Sequence, residues 1–244
     1  MKIWLDFRQK RGDFPTVYFQ LWAKLVLRND ESSAVRHPAA RSADVPPPEP
    51  TVRRELFGGA VSCDYPTRWI DVSDFRPVPD NQEVWTDADR DESVIFEILE
   101  RVEVGPSDAD GAAVWFFDDL ATINDASVAS GLSAVETTRH LTAHELPSIN
   151  GVFACASLCV GTSQISKGND GVDKRNAVRV AMANVRLPEF GTDLLVTLNR
   201  AITIAKGSSA DAPRAGDGDD EVGAGDLILR VLQSLRIEDW GLFG

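Results

Sequence analysis

The sequence predicts an α+β fold in which a largely antiparallel β-sheet is flanked by helices, as an α/β/α sandwich. Two observations support this prediction. Four strand-like runs follow one another between residues 134 and 199, and segments with helical spacing stand before and after them. The link between the last two runs is short enough for a hairpin, which favours antiparallel pairing. With 244 residues, 43% of them hydrophobic, the chain can bury one sizeable core.

The first 54 residues differ in composition from the rest of the chain. Residues 14–28 are rich in aromatic side chains, some at helical spacing, which predicts a short amphipathic helix. Residues 29–54 are rich in Ser, Ala, Arg and Pro and are expected to be a disordered linker. We therefore predict an N-terminal extension at 1–54, without an assigned role, and a single domain at 55–244.

The elements in the first half of the domain are predicted from spacing and turn residues. Residues 56–62 are expected to form a strand whose two consecutive glycines allow close backbone approach or a bulge. The clearest helix is expected at 89–102, because Asp89 can cap it and its apolar residues fall on one stripe. That stripe comprises Val94, Ile95, Ile98, Leu99 and Val102. A second helix is expected at 111–124.

Four strands, a loop and a closing helix are expected in the second half. The strands are expected at 134–141, 152–160, 177–185 and 193–199. The second of them is apolar at almost every position, which predicts a central strand covered on both faces. Residues 206–225 are rich in Gly, Ala and Asp and predict a mobile acidic loop. The closing helix is expected at 226–236, with Asp226 available as its cap.

The charge of the chain limits its partners. The formal net charge is −13, and residues 55–105 alone carry thirteen acids against four arginines, a net of −9. Direct binding of nucleic acid is not expected, because phosphate contacts require clustered cations. A basic protein partner is favoured instead, although acidity also serves simple solubility. No membrane span is expected, because no apolar run reaches the roughly 20 residues that a spanning helix needs.

No catalytic, metal or cofactor site is predicted. His140 and His144 lie four apart before Glu145, but this stretch reads as strand into loop rather than as the helix of a zinc motif. The sequence contains neither a P-loop nor a Gly-x-Ser-x-Gly elbow. Its three cysteines match no disulfide framework and no metal-ligand pattern, which favours a reducing compartment. We therefore expect no cofactor and no covalent chemistry.

Residues 70–85 are predicted to contain a stiff contact loop. Pro77 and Pro79 fix their own φ and bias the residues before them away from helix. Asp80 and Glu83 lie three apart at the far end of the loop, where the chain re-enters a strand. A stiff loop that presents two acids is suited to a contact surface. The alternative is an Asx turn at Asp80 with Glu83 merely solvated.

Two blocks carry a family resemblance. LFGGA at 56–60, followed by DVSDFRPVPDNQEV at 71–84, closely resembles the signature of the Ran guanine nucleotide release factor family, the Mog proteins. Weaker similarities lie at 186–188, 192–199 and 242–243. The resemblance covers about residues 55–244. It implies a Mog/PsbP-like fold, which agrees with the fold class predicted above.

The resemblance also implies a function and a site. It implies a Ran-binding protein that promotes guanine nucleotide release and supports nuclear protein import, found in nucleus and cytoplasm. The partner would be a Ran-type small GTPase, and we expect the chain to be a monomer. The acidic positions that the family uses fall on Asp80 and Glu83. The residues that support or flank them are Asp71, Asp74, Arg76, Asn81 and Gln82.

Two other functions remain open from the sequence. The first is a PsbP-like structural subunit of a photosynthetic complex, which the DVSDFRPVPDNQEV block fits poorly. The second is a scaffold that binds a GTPase without affecting its nucleotide. Measuring nucleotide release separates the second alternative from a release factor.

Overall fold

The computed structural model of the chain describes residues 49–87, 89–102, 108–149, 155–166, 171–208 and 223–243. The predicted amphipathic helix at 14–28, most of the linker at 29–54 and most of the acidic loop at 206–225 lie outside the described residues. The strands are β1 (Thr51–Leu56), β2 (Val61–Pro66), β3 (Ile70–Asp71), β4 (Gln82–Asp87), β5 (Glu92–Glu100), β6 (Ser133–His140), β7 (Cys155–Ser166), β8 (Arg175–Leu187), β9 (Thr192–Thr203) and β10 (Arg236–Ile237). The helices are α1 (Asp108–Ile123) and α2 (Ala224–Ser234).

The strands form two sheets. Seven strands pair in the order β3-β4-β5-β9-β8-β7-β6, and three pair in the order β1-β2-β10. All of these pairs are antiparallel. The predicted α+β class with a largely antiparallel sheet is therefore confirmed.

Two apolar clusters cover opposite faces of the large sheet. Along β8, side chains alternate between them: Val180 belongs to the cluster that includes α1, and Ala181 to the cluster that includes α2 and β2. The three layers are therefore α1, the seven-stranded sheet, and α2 together with the small sheet. This layering buries both faces of the central strands.

The helix predicted at 89–102 is wrong, because this segment forms a tight turn and then β5. The turn is closed by Asp87, whose Oδ1 accepts a hydrogen bond from the Asp89 backbone N–H at 3.0 Å, and by Asp91 at a φ of 47°. β5 lies between β4 and β9 and is buried on both faces along most of its length. A strand buried on both faces is apolar almost continuously, and such a run also satisfies helical spacing.

The strand predicted at 56–62 is instead a hairpin. β1 ends at Leu56 and β2 starts at Val61, and the two strands pair with each other. The reversal uses three successive positive φ values: 51° at Phe57, 64° at Gly58 and 94° at Gly59. Glycine adopts this region without steric cost, so the two glycines make a reversal rather than a bulge.

The ordered structure starts before Glu55, because β1 begins at Thr51. Residues 51–54, predicted as the end of a disordered linker, are therefore strand.

The other predicted elements are found with shifted ends. α1 covers the helix predicted at 111–124, and α2 covers most of the one predicted at 226–236. The N-cap of α2 is Gly223, and Asp226 lies in its first turn instead of capping it. β7 is one strand from the sheet edge rather than central, with residues 152–154 outside the described part. Neither helix in the described part is long and apolar enough to cross a membrane.

Candidate partner-binding surface

The contact loop, predicted between Asp74 and Gln82, spans residues 72–81 in the structure and joins β3 to β4 at the edge of the large sheet. Both of its ends are fixed by backbone hydrogen bonds. The Val72 N–H donates to the Val84 carbonyl at 2.9 Å, and the Gln82 N–H donates to the Pro79 carbonyl at 2.9 Å. The loop is thus anchored where it leaves one strand and where it enters the next.

A small apolar cluster packs against the inner side of the loop. Val72, Val84 and Ile95 are buried together, and Val78 packs against them. Val78 lies between Pro77 and Pro79, whose rings restrict the backbone on either side of it. The loop is therefore braced by its own packing as well as by its hydrogen bonds.

Two of the predicted site residues hold the shape of the loop. Asp71 Oδ1 accepts a hydrogen bond from the Ser73 N–H at 2.8 Å, which is an Asx turn. Asn81 Nδ2 donates to the Ile98 carbonyl at 3.2 Å, and the Asn81 carbonyl accepts from the Ile98 N–H at 3.0 Å. Their contacts link the loop to itself and to β5.

Gln82 is buried and faces Glu97. Its Nε2 donates to Glu97 Oε1 at 2.8 Å, and the two residues are 7% and 2% exposed. Among the described residues, Gln82 Oε1 and Glu97 Oε2 have no hydrogen-bond partner. Burial raises the pKa of Glu97 well above the ordinary glutamate value. Gln82 therefore packs beneath the loop, and burial favours the protonated form of Glu97.

We expect Glu97→Gln to change the pH dependence of stability. A carboxyl whose folded pKa is raised stabilises the fold fully below its unfolded pKa, and this contribution is lost as pH rises towards the folded pKa. The free energy of unfolding of the wild type should therefore fall by up to about 1.4 kcal/mol per pH unit over part of the range above about pH 4.3. Urea unfolding from pH 5 to pH 8 should show a flatter profile for Glu97→Gln.

Glu100→Gln is the matched control, because Glu100 lies exposed at the end of the same strand. It should keep the wild-type pH profile. Parallel profiles for Glu97→Gln and the wild type would show that Glu97 is ionised in the fold.

Glu83 is half-buried, and its carboxylate is engaged in the structure. Its Oε1 accepts a hydrogen bond from the Phe57 backbone N–H at 2.6 Å, and Phe57 has a φ of 51°. Burial raises the pKa of Glu83, the Phe57 N–H acts in the opposite direction, and the nearby Asp71 raises it further. Glu83 thus ties β4 to the β1–β2 turn and is not merely solvated. The two sequence blocks, LFGGA and DVSDFRPVPDNQEV, meet at this hydrogen bond.

The outer side of the loop presents acids and one aromatic ring. Asp74 and Asp80 are exposed, and Arg76 is half-buried, with its pKa lowered by burial. Phe75 is 69% exposed, although it is a large apolar side chain. Sequence reasoning missed Phe75. The available signal was an aromatic residue in a turn-forming run between two exposed acids, where no core position is expected.

The described residues contain no cluster of three or more His, Cys, Asp or Glu that could hold a metal ion. Cys63 and Cys159 are buried, and burial raises the pKa of each thiol to about 12. The acidic loop carries exposed charge and an exposed aromatic ring, Phe75, which is typical of a surface that contacts another protein.

In comparisons with known proteins, residues 54–201 match the model of the family described as "Ran-interacting Mog1 protein". The chain is 37% identical over 195 residues to the Ran guanine nucleotide release factor of Danio rerio, covering 78% of this chain and 99% of that protein. It is 28% identical over 193 residues to the nuclear import protein mog1 of Schizosaccharomyces pombe, covering 78% and 98%. Both alignments extend beyond the two signature blocks.

The fold is also found among solved structures. The crystal structure of the Saccharomyces cerevisiae Ran-binding protein Mog1p superposes with a TM-score of 0.56 at 20% sequence identity. The match covers 80% of this chain and all of that one. At this level of identity the likeness supports the shared fold.

Proposed function

We propose, from the premise that this chain belongs to the Mog1 family of Ran-interacting proteins, that it binds a Ran-type GTPase and promotes release of its guanine nucleotide. The observation that carries the proposal is the braced loop at 72–81, which lies within the family match and exposes Asp74 and Asp80. Rigid loops that expose charge are typical of contact surfaces rather than of cores.

Release follows from linkage between two binding events. A protein that binds the nucleotide-free GTPase more tightly than the loaded form must weaken nucleotide binding by the same factor. A preference of roughly 4 kcal/mol corresponds to about a thousandfold weaker binding of the nucleotide. The chain acts by binding alone, so no bond is made or broken in this step.

Asp80 is suited to supply such a preference. Its carboxylate can pair with a basic residue of the GTPase that otherwise holds a phosphate, or it can repel the phosphates and disturb the Mg²⁺. Either action favours the GTPase without its nucleotide. The hydrogen bond that Glu83 accepts from the Phe57 N–H ties β4 to the β1–β2 turn, so Glu83 combines charge with a positioning role.

A role in nuclear protein import completes the proposal. One relative is named as a nuclear import protein, and a Ran-binding function would place this chain in nucleus and cytoplasm. The family match over residues 54–201 favours this function over a PsbP-like photosynthetic subunit.

Stopped-flow release of a fluorescent guanine nucleotide from Ran tests the proposal. Adding the full chain should accelerate release, and pull-downs should recover more empty than loaded Ran. Equal binding of both forms without acceleration would identify a scaffold. No binding to either form would contradict the proposed partner.

A further inference from the structure

We propose that Phe75 is the apolar anchor of the partner-binding surface and inserts into an apolar pocket rimmed by basic side chains on the GTPase. This inference rests on the proposed function and adds an interaction that the acids alone do not supply. Its starting point is exposure: Phe75 is 69% exposed, the highest value among the exposed large hydrophobic residues of the described part.

A second exposed apolar side chain lies just before this loop in the chain. Four large hydrophobic residues are exposed in the described part of the chain, and two of them, Ile70 (46%) and Phe75, lie five positions apart. Ile70 is on the edge strand β3 and Phe75 is in the loop that follows it. Val128 and Ile202, at 40% and 39%, lie in other elements. Half of the exposed large hydrophobic residues of the described part therefore lie in the edge strand β3 or in the loop that follows it.

The backbone around Phe75 is held in place. The N–H groups of Phe75 and Arg76 both donate to the Val72 carbonyl, at 3.0 and 3.1 Å. Val72 is itself buried and hydrogen-bonded to β4. An aromatic ring on a fixed backbone loses little conformational entropy on binding, which is a property of residues that dominate interface energies.

Charge selects the kind of partner. In the sequence, Phe75 lies between the exposed acids Asp74 and Asp80, and the whole chain has a formal net charge of −13. A second copy of this chain would bring the like charges of the two loops together, which costs free energy. A GTPase pocket with a basic rim would match both the ring and the acids of the loop.

Affinity measurements on the nucleotide-free GTPase test the proposal with four forms of the full chain. Phe75→Ala should weaken binding by at least about tenfold, mainly through faster dissociation. Phe75→Leu should retain most of the affinity, because it keeps an apolar side chain. Val128→Ala removes an exposed apolar side chain elsewhere and should bind as the wild type does.

Salt dependence supplies a readout that separates the ring from the acids. Phe75→Ala should weaken binding by the same factor at low and high salt, because an apolar contact is not screened. All variants should unfold at the wild-type temperature, since Phe75 contributes little to the core.

Two outcomes would overturn the anchor, and a third would reject the proposed function. Wild-type affinity for Phe75→Ala would remove it while leaving the proposed function intact. A wild-type dimer that dissociates on Phe75→Ala would assign the ring to a contact between copies. Failure of the wild type itself to bind any form of Ran would instead reject the proposed function.

Discussion

Asp80→Lys is expected to weaken binding of the GTPase by roughly 10- to 100-fold and to slow nucleotide release accordingly, while the unfolding temperature stays at the wild-type value. Asp80 is exposed on the braced loop, so the reversed charge meets solvent in the free protein and costs little stability. In the complex it would face the basic residues that Asp80 is proposed to contact. Like charges placed together at an interface are strongly unfavourable.

Asp118→Lys is the matched control for this charge reversal. Asp118 is exposed in α1, which packs on a face of the sheet and takes no part in the loop. The two variants have the same net charge, so a difference between them reports the position of the charge and not its sum. Equal loss of affinity in both would show that only the overall field of the protein matters.

Glu83 requires a gentler substitution than Asp80. Lysine at position 83 cannot accept the hydrogen bond that Glu83 accepts from the Phe57 N–H. The double variant Asp80→Lys with Glu83→Lys should therefore abolish GTPase binding and nucleotide release but also lower stability, in contrast to the unchanged fold expected from a solvated Glu83. Glu83→Gln keeps an acceptor oxygen and removes only the charge, so it isolates the electrostatic contribution of this residue.

The sequence predicts the sheet more successfully than it predicts the contacts of the site. β6, β8 and β9 were recognisable because each forms a strand-length run bounded by turn residues. The segment at 89–102 was not, because a strand buried on both faces satisfies two periodicities at once. Only the pairing of β5 with β4 and β9 decides between them.

The loop and the exposure of Asp80 could be predicted from the sequence, because prolines and acids leave local signals. The hydrogen bond between Glu83 and Phe57 joins residues 26 apart, and it exists only because the β1–β2 hairpin lies beside β4. The burial of Gln82 and Glu97 likewise depends on strand register. Contacts of this kind follow from tertiary structure, and local pattern carries no signal for them.

Glu92→Ala is expected to lower the free energy of unfolding by about 3–5 kcal/mol. Glu92 is 1% exposed at the opposite end of the β4–β5 hairpin from the loop. Its Oε1 contacts Arg68 at 2.5 Å and accepts from Trp69 Nε1 at 2.6 Å, and its Oε2 accepts from Arg200 Nε at 2.6 Å. Removing the carboxylate takes a buried anion away from two guanidinium groups, which is far more costly than losing an exposed ion pair.

The pH dependence of this loss has a defined sign. Burial alone would raise the pKa of Glu92, but Arg200, Arg68 and the hydrogen bonds outweigh it, so the pKa is lowered. A lowered pKa contributes stability above the unfolded pKa, and this stability is lost as pH falls through the folded pKa. The difference in free energy of unfolding between the wild type and Glu92→Ala should therefore be largest at neutral pH and smaller in acid. Urea unfolding at several pH values measures this difference.

Glu92→Gln is the companion variant, because it removes the charge but keeps one acceptor oxygen, which can accept from Trp69 or from Arg200 while the amide N–H₂ faces the other donor. Its free energy of unfolding should lie between those of the wild type and Glu92→Ala. Because Glu92 is remote from the loop, folded Glu92→Ala should bind the GTPase with wild-type affinity, whereas Asp80→Lys should lose affinity and keep stability. Wild-type stability of Glu92→Ala would show that this buried network contributes nothing to the fold. Weakened GTPase binding by folded Glu92→Ala would show that the two ends of the hairpin are coupled.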